Sequence, residues 1–222
     1  MADTSLTAFY LTNPACTIDN RAFEMCKSLA RLILSVNTIG TCAFYECTAL
    51  NKGTADGTVR VAASTFNPQC FYGCSSIKQI DITAINIKAE AFKNCSGLTT
   101  VTFNKHIDGD STKISSSAFT NCKNISSITL NTHVMENYGN NKDIFKSSKS
   151  VITSVIIKSN ATHISQEIFE GYSNITTLNL SNATSLVKIY EEAFKDCTGI
   201  KTALVFPSTL YTIYSRAFEN CS

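Results

Sequence analysis

Ten cysteines and three histidines hold most of the latent chemistry in these 222 residues. Their spacing decides whether that chemistry is metal ligation, disulfide formation or nucleophilic attack. A zinc site wants close pairs such as C-x2-C with further ligands nearby. The tightest pairs here are Cys42 with Cys47 and Cys70 with Cys74, and no histidine stands beside them. His106, His133 and His163 are far apart, in no H-E-x-x-H pattern and never within three residues of a cysteine, and read as solvated loop residues. Asp108-Gly109-Asp110-Ser111 lacks the remaining ligands of a calcium loop and reads as a polar turn. Glu191-Glu192, and Lys88 with Glu90, read as outward charges, whereas glycoside chemistry needs two carboxylates fixed across a cleft. There is no G-x-x-x-x-G-K-S/T loop, G-x-G-x-x-G turn or G-x-S-x-G elbow. The sequence therefore offers no catalytic residue, no cofactor-binding residue and no metal ligand.

What positions the cysteines is a repeat. Phe23, Phe44, Phe71, Phe92, Phe119, Phe145, Phe169, Phe194 and Phe218 recur at intervals of 21 to 27 residues. Five residues before each comes Ile18, Ile39, Phe66, Ile87, Ile114, Ile164, Ile189 or Ile213, with Asn140 as the exception. The residue just before the ring is Ala in six units, replaced by Cys70, Ile144 and Ile168 in the others. Three residues after it stand Cys26, Cys47, Cys74, Cys95, Cys122, Cys197 and Cys221, replaced by Ser148 and Tyr172 in two units. Apolar residues follow six, nine and eleven positions on, as in Leu98, Val101 and Phe103. The last two alternate with polar residues, the signature of a strand with one buried face. A period of this length over the whole chain predicts a solenoid of stacked coils.

In such a stack each inward column meets its own copy one strand spacing away, about 4.8 Å. Parallel side chains at that separation hold Cβ atoms too far apart for easy disulfides, so the cysteine column reads as buried free thiols. Cys16, Cys42 and Cys70 lie off the column, and both pairing and free thiols stay open for them. The Phe column reads as the core, so Phe119→Ala should lower stability, whereas Thr129→Ala should leave folding alone and alter only partner binding.

These residues resemble the BspA-like leucine-rich repeats, whose unit runs roughly I-x-x-x-A-F-x-x-C-x-x-L-x-x-I-x-I/L. Here it is Ile87-Lys88-Ala89-Glu90-Ala91-Phe92-Lys93-Asn94-Cys95-Ser96-Gly97-Leu98-Thr99-Thr100-Val101-Thr102-Phe103. The likeness covers essentially the entire chain, although the usual Pro after the strand survives only near Pro14 and Pro207. It implies an α/β right-handed solenoid with one parallel strand per repeat and short helices, turns or extended segments on the opposite side. It also implies a cell-surface or secreted adhesion module that engages host or other cell-surface proteins.

On that fold the recognition surface is the outward side of the strands. The expected partner-binding residues are Arg31, Gln79, Asp81, Thr100, Thr102, Ser127, Thr129, Ile156, Thr177, Asn179, Thr202 and Leu204, a polar, Thr-rich stripe with apolar spots that include Ile33. The longer inter-unit segments, residues 52–57, 104–112 and 131–142, are alternative contact loops, with His133, Met135 and Tyr138 in the longest. Charged residues make up 16% and net charge is +2, with no basic run, which argues against nucleic acid as partner. No apolar stretch approaches the length of a membrane span. Met1-Ala2-Asp3 does not open a secretory leader. The N-x-S/T sequons at Asn94, Asn124, Asn160, Asn174, Asn182 and Asn220 matter only on a glycosylating route. Residues 1–222 read as one solenoid domain of about nine repeats. Both ends fall at nearly the same phase of the repeat, so the chain reads as an excerpt of a longer array that can associate end to end. Two other readings stand beside adhesion: an intracellular scaffold or signalling protein, favoured by free thiols, and a self-assembling spacer.

Overall fold

The computed structural model describes residues 6–52, 58–109, 111–136 and 141–221. Met1-Ala2-Asp3, Gly57, Asp110, Tyr138, Asn140 and Ser222 lie outside them. Period-two alternation produces strands where the sequence has it: β3 (Arg31–Ile39), β4 (Thr58–Phe66) and β5 (Gln79–Ile87) bury every second residue through their first halves. Ahead of them come β1 (Ala8–Thr12) and the short β2 (Thr17–Ile18). From the fourth unit on, each long strand splits in two. The first pieces are β6 (Thr100–Asn104), β8 (Ser127–Asn131), β10 (Ser154–Ile157) and β12 (Thr177–Asn179). The second pieces are β7 (Ser111–Ile114), β9 (His133–Glu136), β11 (His163–Ile164), β13 (Lys188–Ile189) and β14 (Thr212–Ile213).

All pairing is parallel. The main sheet runs β1-β3-β4-β5-β6-β8-β10-β12, with β2 on β3 and the β7–β9 pair on β5, and a second sheet runs β11-β13-β14. The α component expected on the opposite side reduces, among the described residues, to turns and two three-residue 3-10 helices, Asn141–Asp143 and Lys146–Ser148. The result is a parallel β-solenoid of stacked coils.

The Phe column lies inside it. Successive rings stack at centroid distances of 5.0 Å (Phe23–Phe44 and Phe44–Phe71), 5.4 Å (Phe71–Phe92) and 5.2 Å (Phe92–Phe119), nearly parallel to one another. From Phe44 to Phe194 the nine-unit column is at most 1% exposed. Phe103 of β6 meets Phe119 edge-on at 6.0 Å, so the rings fill the coil from the turn side against the inward strand residues.

The turn carrying each ring is a second hydrogen-bond ladder. Around Phe71, the N–H groups of Gln69, Phe71 and Gly73 donate to the carbonyls of Ala89, Ala91 and Lys93 in the next unit. Turning three alternate N–H groups along the stack needs left-handed backbone two residues before and two after the ring. Gln69 (φ 58°) and Gly73 (φ 70°) have it, as do Glu90 (φ 57°) and Asn94 (φ 63°), and Glu192 (φ 51°) and Asp196 (φ 58°).

Candidate protein-binding surface

In-register parallel strands bring equivalent outward positions side by side. One row runs from Thr58 through Gln79, Thr100, Ser127 and Ser154 to Thr177. The next runs Tyr10, Ile33, Arg60, Asp81, Thr102, Thr129, Ile156, Asn179. Arg31, Gln79, Thr177 and Asn179 are exposed, and Asp81, Thr100, Thr102, Ser127 and Ile156 are half-buried among their neighbours. Arg60 Nε lies 3.7 Å from Asp81 Oδ2, a surface pair that fixes two charges in an otherwise hydroxyl- and amide-rich face. Ion pairs concentrate instead on the turn side, as in Lys93–Glu90 at 2.8 Å and Arg216–Glu192 at 3.3 Å.

Three expectations need correction. Thr129 is only 5% exposed, because Thr102 and Ile156 flank it in register on either side and close over it. It cannot serve as a freely presented contact, and its substitution touches packing. Thr202 and Leu204 do not extend the rows, since residues 202–207 form no strand and pair with none. His133 and His163 are not free loop residues: their rings meet at 5.2 Å, tilted by 53°, and continue into Tyr190 and Tyr214 as a ring ladder beside the core. Sequence reading also passed over Tyr10, 56% exposed, and Arg60. Tyr10 precedes Phe23, the first ring of the repeat column, and the insertion in the second unit hides the register of Arg60; alternation within β1 and β4 is the available signal.

A Ser–His contact occurs here without the geometry of a nucleophile. His133 Nε2 lies 2.9 Å from Ser165 Oγ, but the Ser165 hydroxyl donates its proton to the Val134 carbonyl and is 3% exposed. The hydroxyl is thus the acceptor from His133, a structural role. Burial, with His163 adding to it, holds the His133 ring down to about 4, so it stays neutral in the fold. Among the described residues, no three His, Cys, Asp or Glu side chains gather as a metal site.

The column cysteines have a bonding reason to be cysteine. The thiols of Cys47, Cys74, Cys95, Cys122, Cys197 and Cys221 each donate to the carbonyl of the preceding unit's Phe at 3.0 to 3.2 Å. Ser148 replaces the thiol by donating to the Cys122 carbonyl, and the Tyr172 hydroxyl reaches the Lys142 carbonyl at 3.2 Å. None of the ten cysteines is joined in a disulfide, and burial pushes the thiols of Cys47 and Cys197 up to about 12. Four of the sequon asparagines are engaged as well: the side-chain amides of Asn94, Asn124, Asn174 and Asn220 donate to the preceding unit.

Solved structures of leucine-rich repeat proteins are among those similar to this chain. A leucine-rich cell surface protein from Faecalibacterium prausnitzii A2-165 is 18% identical, with 99% of this chain and 72% of that one covered and a TM-score of 0.37. A leucine-rich repeat protein from Bacteroides ovatus is also 18% identical, covering 92% of this chain and 68% of that one at a TM-score of 0.40. One from Eubacterium ventriosum is 10% identical, covering 95% and 88% at a TM-score of 0.35. None of the curated proteins matches the sequence. Six copies of the BspA type leucine rich repeat region match residues 1–111 and 86–222, spanning the stacked units described above, and the chain belongs to that family.

Proposed function

We propose that this chain is a non-enzymatic protein-binding array of a cell-surface or secreted protein, engaging host or other cell-surface proteins through the outward rows of the main sheet. Residues 1–222 act in this reading as one solenoid of about nine units. The observation that carries it is the two aligned rows of outward side chains, sparse in charge and continuous across the strands from β4 to β12, on a scaffold whose thiols and histidines are spent on structure. Such a surface offers many shallow contacts that are individually weak and gain by avidity when several units engage together. Family membership favours the same role, since repeat arrays recognise partners over extended faces.

The test is a paired Thr100→Arg, Thr102→Arg variant. Both positions lie on the outward side, so its far-ultraviolet spectrum and melting temperature should match those of the parent while capture on immobilised extracellular-matrix and cell-surface proteins falls. Equal capture by parent and variant would reject the face. The free thiols favour a second reading, an intracellular scaffold in a reducing compartment. Localisation of the full gene product in its own cell separates the two.

A further inference from the structure

Along the strands of the main path, pairing in the main sheet stops at β12, inside the array. The carbonyls of Thr7, Lys78, Thr99, Ser126 and Thr153 each accept two successive N–H groups from the following unit. The equivalent donors to Thr176 would be Lys201 and Thr202, and no such bond forms; among the described residues, none joins residues 201–206 to 176–180. β12 therefore pairs with β10 on one side only. Thr177 N–H donates to Thr153 on the β10 side. Backbone groups alternate sides along a strand, so the N–H and carbonyl of Leu178 point the other way, into the break.

The break is bounded along the chain. Before it, Ile200 is set into the core at 6% exposure. After it, Phe206 packs edge-on against Phe218 at 5.8 Å, and Tyr211 N–H resumes pairing with Val187 at 2.8 Å. Between these anchors lies a groove of about 500 Å³, walled by residues 176–184 on one side and 202–207 on the other. Its lining contains no charged residue: Leu178, Leu180, Leu204 and Phe206 supply apolar surface, Thr177 and Asn179 neutral polar groups. Leu178 and Leu180 are 7% and 6% exposed there, whereas Val155 and Ile157 on the neighbouring strand are fully covered. Val205, at the rim, is 82% exposed.

We infer that this groove is a strand-addition site that takes an extended, uncharged peptide segment of another protein against the free edge of β12. Unpaired backbone donors and acceptors recognise an extended main chain, and the apolar floor selects aliphatic side chains at alternate positions. The absence of lining charge leaves nothing to neutralise a charged residue, which would lose its hydration on entering. β10 shows what fits, since Ser154, Val155, Ile156 and Ile157 already occupy the opposite edge of β12 with this pattern. The site is read by edge backbone and shares only Thr177 and Asn179 with the outward rows, away from Thr100 and Thr102, so either can fail without the other.

The probe is a blocked peptide with the sequence of residues 153–157, titrated onto the whole chain. Expected are saturable one-to-one binding and slowed hydrogen exchange confined to residues 176–180 and 202–206. Two further peptides, N-methylated at alternate residues in the two possible phases, discriminate edge pairing from greasy contact. One phase should bind about tenfold more weakly, the loss of a hydrogen bond or two. A peptide with Lys at the Val155 and Ile157 positions should not bind. The inference is overturned by absent saturation, by both methylated peptides binding like the parent, or by protection elsewhere. It is equally overturned if the protein alone sediments as a dimer with Leu178 already protected, because the occupant is then a second copy.

Discussion

The side chains that first suggest chemistry are used to join one unit to the next. The Cys95 thiol donates to the buried Phe71 carbonyl and the Ser165 hydroxyl donates to Val134, so both serve as joints between units. His133 turns this structural use into a measurable pH dependence. Its ring is neutral in the fold, held at about 4 by burial, against about 6.5 when unfolded. Unfolding then takes up a proton between these values, so the contribution of His133 to stability is flat above pH 6.5 and falls as pH drops toward 4, by on the order of 3 kcal/mol. Urea midpoints between pH 7 and 4 test this, and His133→Phe should flatten that part of the profile; an unchanged slope would place the titration elsewhere. The Phe column gives the larger residue-level effect. Phe119→Ala should cost about 3 to 5 kcal/mol in urea unfolding. Thr102→Ala, on the half-buried outward side, should stay within about 0.5 kcal/mol. Thr129→Ala falls outside that tolerance because its neighbours in register enclose it.

At the scale of the element, the unit has two ladders, and only one was easy to read. Strands and their inward columns were legible because alternation marks them directly, as in Leu98, Val101 and Phe103. The turn ladder was half-written. Two residues after the ring stand Gly73, Asn94, Asn121, Gly171, Asp196 and Asn220, types that tolerate left-handed backbone, and this column could have been found. Two residues before it, Gln69, Glu90, Glu167 and Glu192 adopt the same φ with ordinary side chains, since the ladder bonds offset their strain and composition hides the turn. The rows of the outer face were legible wherever spacing was regular, and failed at Thr202 and Leu204 because hydrophobic pattern alone does not show whether a strand closes onto its neighbour. Gly73→Ala tests the turn. Its φ of 70° and a Cβ placed 3.1 Å from Glu46 Cγ predict a loss of about 1 to 2 kcal/mol. Denaturant midpoints compared with an outward Thr→Ala control measure it, and a neutral result would mean the turn relaxes.

Across the whole molecule the stack is uneven, and its weakest joint follows from the same bonds. Phe145 sits 5.7 Å from Phe119 with a 39° tilt and 6.3 Å from Phe169, wider than the 5.0 Å spacing around Phe44. Its turn is built from the two 3-10 helices in place of left-handed residues. The ring N–H ladder lapses there: among the described residues, Phe119 and Phe145 lack the bond to the next unit that Phe92 and Phe169 make to Ala118 and Ala193. Asn121 N–H donates to the Ser147 hydroxyl as a substitute, and Thr132 Oγ1 is buried without a partner. In a solenoid, stability is a sum of unit and nearest-neighbour terms, so a weak interface becomes the place where the array opens locally. Backbone amides at residues 118–122 and 144–148 should therefore exchange faster than those at 69–73 and 91–95, while the sheet from β8 to β10 stays protected by its own pairing. Hydrogen-exchange mass spectrometry in sub-denaturing urea would resolve the two sets. Uniform protection along the turn side would show that sheet pairing alone governs cooperativity, and that the ring column does not set the joint.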